Sequence, residues 1–168
     1  MHNAVFSGGA SGTPSALWAS TSKRNQAQTI LDGGRINFVG MTLDVGTGSA
    51  GFQAPTEGYE NWIEYALARN ASTKFMTGTP WIDYPSNYDT AAYTAAVRNA
   101  FPLLAPIFVA LRTKYPGVTF IDNPYALGIV ETRLLFEAGG IPDIGSLFGD
   151  CAEDVTGNNE CGDAMFNR

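Results

Sequence analysis

Three glycines within five residues near the start of the chain are the feature that most strongly suggests chemistry. They belong to the glycine-rich segment 7–14, Ser-Gly-Gly-Ala-Ser-Gly-Thr-Pro, which follows the apolar run 4–6. Because glycine adopts positive φ angles and lets the backbone approach another group closely, such a segment can direct N–H groups at a bound oxygen. The segment therefore predicts an oxyanion or anion site, with Gly8 and Gly9 as candidate donors.

Side chains that could act as a nucleophile or a base are few. Ser7 and Ser11 lie in the glycine-rich segment, but a serine nucleophile needs a base within hydrogen-bond reach. The one histidine of the chain is His2. In a strand, positions 2 and 7 point to opposite faces, which argues against a His2–Ser7 pair. We expect Ser7 to act as a turn former rather than as a nucleophile.

Short apolar runs alternate with helical stripes along the chain. Strands are predicted at 2–6, 36–43, 74–79 and 118–121, with helices at 20–31, 55–67 and 89–114 and a last helix from Asn123-Pro124 to Gly139-Gly140. The helix after Thr56 has the clearest stripe, formed by Tyr59, Trp62, Ile63, Ala66 and Leu67. Pro102 and Pro106 predict a kink in the third helix, or two helices end to end. The alternation predicts an α/β fold with a parallel sheet between helices.

In such a sheet, ligands bind outside the carboxyl ends of the strands. Four segments converge there, at 7–11, 42–47, 79–83 and 122–123. Thr42, Asp44 and Trp81 are therefore candidate substrate-binding residues. Asp44 and Asp83 fit either an acid–base pair or solvated loop carboxylates, and Trp81 fits either a pocket wall or a lid over the core.

The acidic tail 149–168 carries the two cysteines, Cys151 and Cys161. Their position around a loop rich in glycine and asparagine favours a disulfide, which would place the protein in the periplasm or outside the cell. A zinc site would need a second pair of ligands besides the two cysteines, and the spacing of the acidic residues departs from the helix-loop-helix calcium motif. We therefore expect no metal. Residues 1–148 are predicted to form the main domain.

The net charge of −6, without a cluster of lysine and arginine, excludes nucleic acid and anionic membrane surfaces as favoured partners. We also expect no stretch long and apolar enough to span a bilayer. Asn70-Ala71-Ser72 matches an N-glycosylation acceptor, a pattern too common to carry weight alone.

Several blocks together resemble an interior stretch of the SGNH (GDSL-type) hydrolases of environmental bacteria. The blocks are the glycine-rich segment with Leu17-Trp18, the strand 38–42, the helix 58–67 and Thr79-Pro80-Trp81-Ile82-Asp83. The resemblance covers about residues 4–148. It implies a flavodoxin-like, three-layer α/β/α sandwich, here incomplete, and ester hydrolysis by a serine nucleophile and a histidine base without a cofactor.

The resemblance also implies roles for particular residues. Gly9 matches the glycine that donates to the oxyanion, with Gly8 and Gly12 as alternatives in register. The family's Gly-x-Asn-Asp block falls at 41–44, where this chain has no such asparagine, so Thr42 or a backbone amide would replace that donor. Ser7, Gly8, Ser11, Thr42, Asp44 and Trp81 would surround a small ester substrate.

The nucleophile block, Gly-Asp-Ser, is expected before residue 1, and the histidine block is expected after the tail. We therefore expect a serine-dependent ester hydrolase of which these 168 residues, inactive alone, form the middle. The alternative is a non-catalytic α/β domain with a ligand-binding or structural role.

Overall fold

The computed structural model describes residues 4–5, 9–42, 56–78, 88–142 and 147 of the chain. A short 3₁₀ helix at Gly9–Gly12 is the first element of the described part. The elements that follow, in chain order, are α1 Pro14–Ala19, α2 Thr21–Leu31, β1 Phe38–Thr42, α3 Glu57–Leu67, β2 Lys74–Gly78, α4 Thr90–Lys114, β3 Phe120–Asn123 and α5 Tyr125–Glu137.

The three strands form one parallel sheet in the order β1-β2-β3. In the register, Val39 lies beside Phe75 and Phe75 beside Phe120. The prediction of an α/β fold with a parallel sheet is confirmed. Of the predicted strand at 2–6, Ala4 and Val5 are described and are not in a strand.

The core of the sheet lies on one of its faces. Val39, Met41, Phe75 and Phe120 alternate onto this face and pack with apolar residues of α2, α3 and α4. Both crossovers lead to the next strand in the same direction, and right-handed crossovers of that kind place α3 and α4 on the same side. The three-layer sandwich remains a prediction.

The opposite face of the sheet carries exposed apolar side chains. Phe38 and Ile121 are 45% and 44% exposed, although parallel sheets are commonly covered on both faces. The helices that contribute to the described core of this sheet therefore form a single layer on it.

The chain divides into two compact units. Unit one comprises residues 1–80 and 103–123, and unit two comprises residues 81–102 and 124–168. The sheet and its core belong to unit one. Unit two has its own core, formed by Tyr93, Val97, Ala126, Ile129 and Val130.

The ends of the helices follow local sequence signals with two exceptions. Asp89 Oδ1 accepts from the N–H of Ala92 at 2.7 Å and caps α4, as its position before Thr90 predicts. Of the two alternatives at Pro102 and Pro106, two helices end to end is wrong, because α4 is one helix of 25 residues, and a kink stays a prediction. The residue that caps α5 is Pro124 rather than Asn123, because Asn123 still pairs in β3 with Gly78 of β2.

By length and composition α4 could cross a membrane, since an 18-residue window has a mean hydropathy of 1.5. The expectation that the chain has no stretch of this length and apolarity is therefore wrong. One such helix is weak evidence for a span, because the core helix of a soluble protein passes the same test. Five of its residues are buried in the two cores: Tyr93, Val97, Ile107, Phe108 and Leu111. That the chain does not cross a membrane stays a prediction.

Candidate functional site

The carboxyl ends of the three strands lie side by side and form the edge at which a ligand is expected. Thr42 ends β1 beside Gly78 of β2, and Gly78 lies beside Asn123 of β3. Thr42 is thus at the predicted edge. The other candidates in the following loops, Asp44, Trp81 and Asp83, lie outside the described residues.

Asp122 is a charged side chain near this edge, in strand β3. Its Oδ1 accepts from Arg112 Nη2 at 2.8 Å and from the buried hydroxyl of Thr77 at 3.3 Å. The carboxylate and the guanidinium are 42% and 41% exposed, so this ion pair contributes little to stability, about 0–1 kcal/mol. The arrangement fixes a carboxylate between β2, β3 and α4. Asp122-Asn123 was predicted only as an edge segment, and its link to Arg112 was missed.

The described part of the glycine-rich segment is helical where a turn with positive φ was expected. Gly9–Gly12 form the 3₁₀ helix, and Ser11 on it is exposed. A 3₁₀ helix is right-handed, and its i→i+3 hydrogen bonds satisfy backbone groups that an open turn leaves free. Gly9 is the first residue of this helix, and the first N–H groups of a helix have no acceptor within it. Ser7 and Gly8 lie outside the described residues.

The segment leads directly into α1 through a local cap that the sequence analysis missed. Thr13 Oγ1 accepts from the N–H of Ala16 at 3.3 Å, and Pro14 occupies the start of the helix. A threonine followed by proline is a common beginning of a helix, because the cap satisfies a free donor and proline has none to lose. This signal was present in the sequence.

Helix α1 is attached to α3 by contacts that are distant in sequence. The buried indole nitrogen of Trp62 donates to the carbonyl of Pro14 at 2.9 Å. The Trp18 ring meets the Trp62 ring edge-on, with centroids 4.7 Å apart. Gly58 faces Ser15 so closely that an added Cβ would lie 2.5 Å from its backbone nitrogen.

These contacts locate the glycine-rich segment relative to the sheet. In a parallel β-α-β unit the crossover helix runs back along the strands, so its first turn lies at the level of their carboxyl ends. Gly58 is in the first turn of α3 and touches the beginning of α1. The 3₁₀ helix ends at Gly12, two residues before α1 begins at Pro14. It therefore lies at the same end of unit one as Thr42.

In unit one, several groups with shifted pKa values lie together where α3 meets the end of α4. Burial and a hydrogen bond to Glu64 raise the pKa of Tyr115 to about 12. A hydrogen bond to Glu60 raises the pKa of Lys114 to about 12, and the same bond lowers the pKa of Glu60. These are interactions between neighbouring helices, and none involves a predicted site residue.

Unit two contains an open groove and a buried arginine that the sequence analysis did not identify. The groove, of about 620 Å³, lies between α4 and α5 and includes none of the predicted site residues; its lining is Thr90, Ala91, Thr94, Ala95, Arg98, Asn99, Leu134 and Glu137. Arg133 donates to the carbonyl of Tyr88 at 2.8 Å and lies over the Tyr93 ring. Its burial with a backbone acceptor and an aromatic ring indicates a structural role.

Within the ranges that the structure describes, no group of three or more histidine, cysteine, aspartate or glutamate side chains could hold a metal ion. Both cysteines and the acidic tail lie outside those ranges, as does His2. The disulfide and the location outside the cytoplasm thus remain predictions.

No family model matches this chain. Curated proteins and solved structures likewise gave no significant match.

Proposed function

We propose that this chain is part of a serine-dependent ester hydrolase of the SGNH type, with its substrate at the carboxyl edge of the sheet. The observation that carries the proposal is the contact of α1 with the first turn of α3, from which we infer that Gly9–Gly12 and Thr42 lie at the same end of one parallel α/β unit. Acyl transfer needs hydrogen-bond donors that are fixed before the oxyanion forms. A short glycine-rich helix fastened to a crossover helix can supply them.

Each named residue has a stated role in this proposal. The N–H of Gly9 donates to the oxyanion, and Thr42 takes the place of the asparagine donor of the family. Ser7, Gly8, Ser11, Asp44 and Trp81 surround the acyl or alcohol part of the substrate. The serine nucleophile and the histidine base come from the flanking Gly-Asp-Ser and histidine blocks.

The test measures hydrolysis of short-chain nitrophenyl esters and labelling by a fluorophosphonate, a reagent that modifies activated serines. We expect neither in the 168-residue chain and both in a chain extended by the two flanking blocks. Gly9→Val keeps the backbone N–H, but in the extended chain its branched side chain should displace that N–H from the oxyanion and lower kcat by about 10²–10³-fold, the size of effect seen when one oxyanion donor is lost. Gly117→Val is a matched control, because Gly117 lies in a loop with open space around its Cα.

Two results would contradict the proposal. If the extended chain neither reacts with the fluorophosphonate nor hydrolyses esters, the domain is non-catalytic, and a ligand-binding or structural role replaces the proposed one. If the 168-residue chain is active and Ser7→Ala or Ser11→Ala abolishes that activity, the nucleophile is in the glycine-rich segment. A third result would correct the proposal in one detail. If kcat is unchanged in Gly9→Val but lost in Gly12→Val, the oxyanion donor is Gly12 and not Gly9.

A further inference from the structure

The contact between α1 and α3 has a role beyond packing. We propose that Trp62 and Gly58 of α3 are positioning residues for the glycine-rich segment and hold the Gly9–Gly12 backbone at the carboxyl edge of the sheet. This inference deepens the proposed function and rests on it for its catalytic meaning. The mechanical part, that α3 fixes this backbone, can be tested without any activity.

Two different constraints act on the beginning of α1. Gly58 sets the distance between the helices. A Cβ added to Gly58 would lie 2.6 Å from the Cα of Ser15, so the absence of a side chain lets the two backbones come this close. Trp62 sets the orientation, because its buried indole N–H must meet the Pro14 carbonyl to be satisfied. The Trp18 ring packs edge-on against the Trp62 ring but makes no part of this hydrogen bond.

The chain between this anchor and the 3₁₀ helix is stiff. Pro14 has its φ fixed by its ring, and a residue that precedes proline is restricted to extended conformations. Thr13 has φ −63° and ψ 150°, within that restricted region. Its hydroxyl also accepts from Ala16 in the first turn of α1. A displacement of the Pro14 carbonyl is therefore transmitted to Gly12 rather than absorbed between them.

Glycine has no side chain with which to fix itself, so the orientation of the Gly9 and Gly12 amides depends on what their neighbours hold. Oxyanion donors need fixed positions, and an error of about 1 Å in a catalytic group can cost on the order of 10²-fold in rate. Trp62 itself does not touch the reacting atoms. It acts through the backbone of 9–14.

The first experiment uses the unchanged protein with isotope-labelled tryptophan. The indole N–H of Trp62 should exchange with solvent at least about tenfold more slowly than that of Trp18, because it is buried and bonded to a carbonyl. Exchange of the two indoles at equal rates would show that the anchoring bond does not persist in solution and would overturn the inference.

The second experiment compares Trp62→Phe with Trp18→Phe by using isotope-labelled glycine. Both variants replace an indole in the same aromatic pair, but Trp18→Phe leaves the bond between Trp62 and Pro14 in place. We expect the amide signals of Gly9 and Gly12 to move in Trp62→Phe and to stay near their original positions in Trp18→Phe. Gly117, in the loop between α4 and β3, should be unaffected in both.

The third measurement separates the positioning role from the proposed function. In the extended chain, Trp62→Phe should lower kcat by about tenfold and leave KM nearly unchanged, since it displaces donors that act on the oxyanion. Glycine signals that move in a protein without any esterase activity would support the positioning role and refute the proposed function. Equal shifts in the two tryptophan variants would refute the positioning role whatever the activity.

Discussion

Replacing Gly58 by alanine tests how closely α1 approaches α3. In most helices this change is favourable, because alanine restricts the unfolded chain more than glycine does and favours the helix by about 1 kcal/mol. At Gly58 the added Cβ would lie 2.5 Å from the backbone nitrogen of Ser15 and 2.6 Å from its Cα. These are backbone atoms, so no side-chain rotation relieves the overlap.

The size of the effect follows from how far α1 has to move. Ordinary van der Waals contact begins at about 3.4 Å, so the helices must separate by about 1 Å. Such a shift takes the Trp62–Pro14 bond from 2.9 Å to beyond hydrogen-bond range. A buried donor without a partner costs about 2 kcal/mol, and a disturbed aromatic pair costs about 1 kcal/mol. After the gain from helix propensity, we expect the variant to be less stable by about 2 kcal/mol.

Urea unfolding followed by tryptophan fluorescence measures this loss, since Trp18 and Trp62 lie at the contact. With a denaturant slope of about 2 kcal/mol per M, the midpoint should fall by about 1 M. Gly128→Ala is the matched control, because Gly128 lies within α5 with no atom within 4 Å of an added Cβ. It should be neutral or stabilising. If Gly58→Ala raises the midpoint as Gly128→Ala does, the close approach of the two helices is refuted.

Two further predictions concern pH and the glycosylation motif. Because the folded protein raises the pKa of Tyr115 from 10.0 to about 12, through burial and its bond to Glu64, the stabilisation is complete below about pH 10 and disappears as the pH rises through about 12. Urea midpoints of the wild type should therefore fall relative to Tyr115→Phe over that interval, and a constant difference would contradict the assignment. Asn70→Asp should lower the free energy of unfolding by about 1–3 kcal/mol, because Asn70 Nδ2 donates to Asn37 Oδ1 at 3.1 Å and to the carbonyl of Ile36. Ser72→Ala should change this free energy by less than about 0.5 kcal/mol. Thermal unfolding compares the two, and a glycan on Asn70 of the folded protein would show that this amide is not held.

Periodicity in the sequence predicts the elements that need either a partner close in sequence or simply any apolar partner. The stripe on α3 is buried as expected at Tyr59, Trp62, Ile63 and Ala66, because any apolar partner satisfies it. The end of α2 was also predictable, since Gly34 has a φ of 65° that few other residues adopt.

Other features depend on partners that a local pattern does not reveal. The prolines at 102 and 106 leave α4 a single helix, although each lacks an N–H donor. The apolar positions of α4 also serve two separate cores, with Tyr93 and Val97 in one and Phe108 and Leu111 in the other. A single stripe in the sequence gives no sign of this division, because periodicity specifies a buried side and not what covers it.

The candidate site shows the same distinction between a chemical group and what holds it. The glycine-rich segment is visible in the sequence because glycine is rarely clustered without a backbone reason. Trp62, the residue that we propose fixes this segment, was predicted only as part of an apolar stripe. Nothing in the spacing of α3 shows that its indole N–H donates to a carbonyl 48 positions earlier. The polar tip of a tryptophan needs a partner once it is buried, whereas its apolar body is satisfied by any neighbour. For a site built from backbone amides, the residues that fix the geometry are therefore to be sought among the aromatic residues of the adjoining helix.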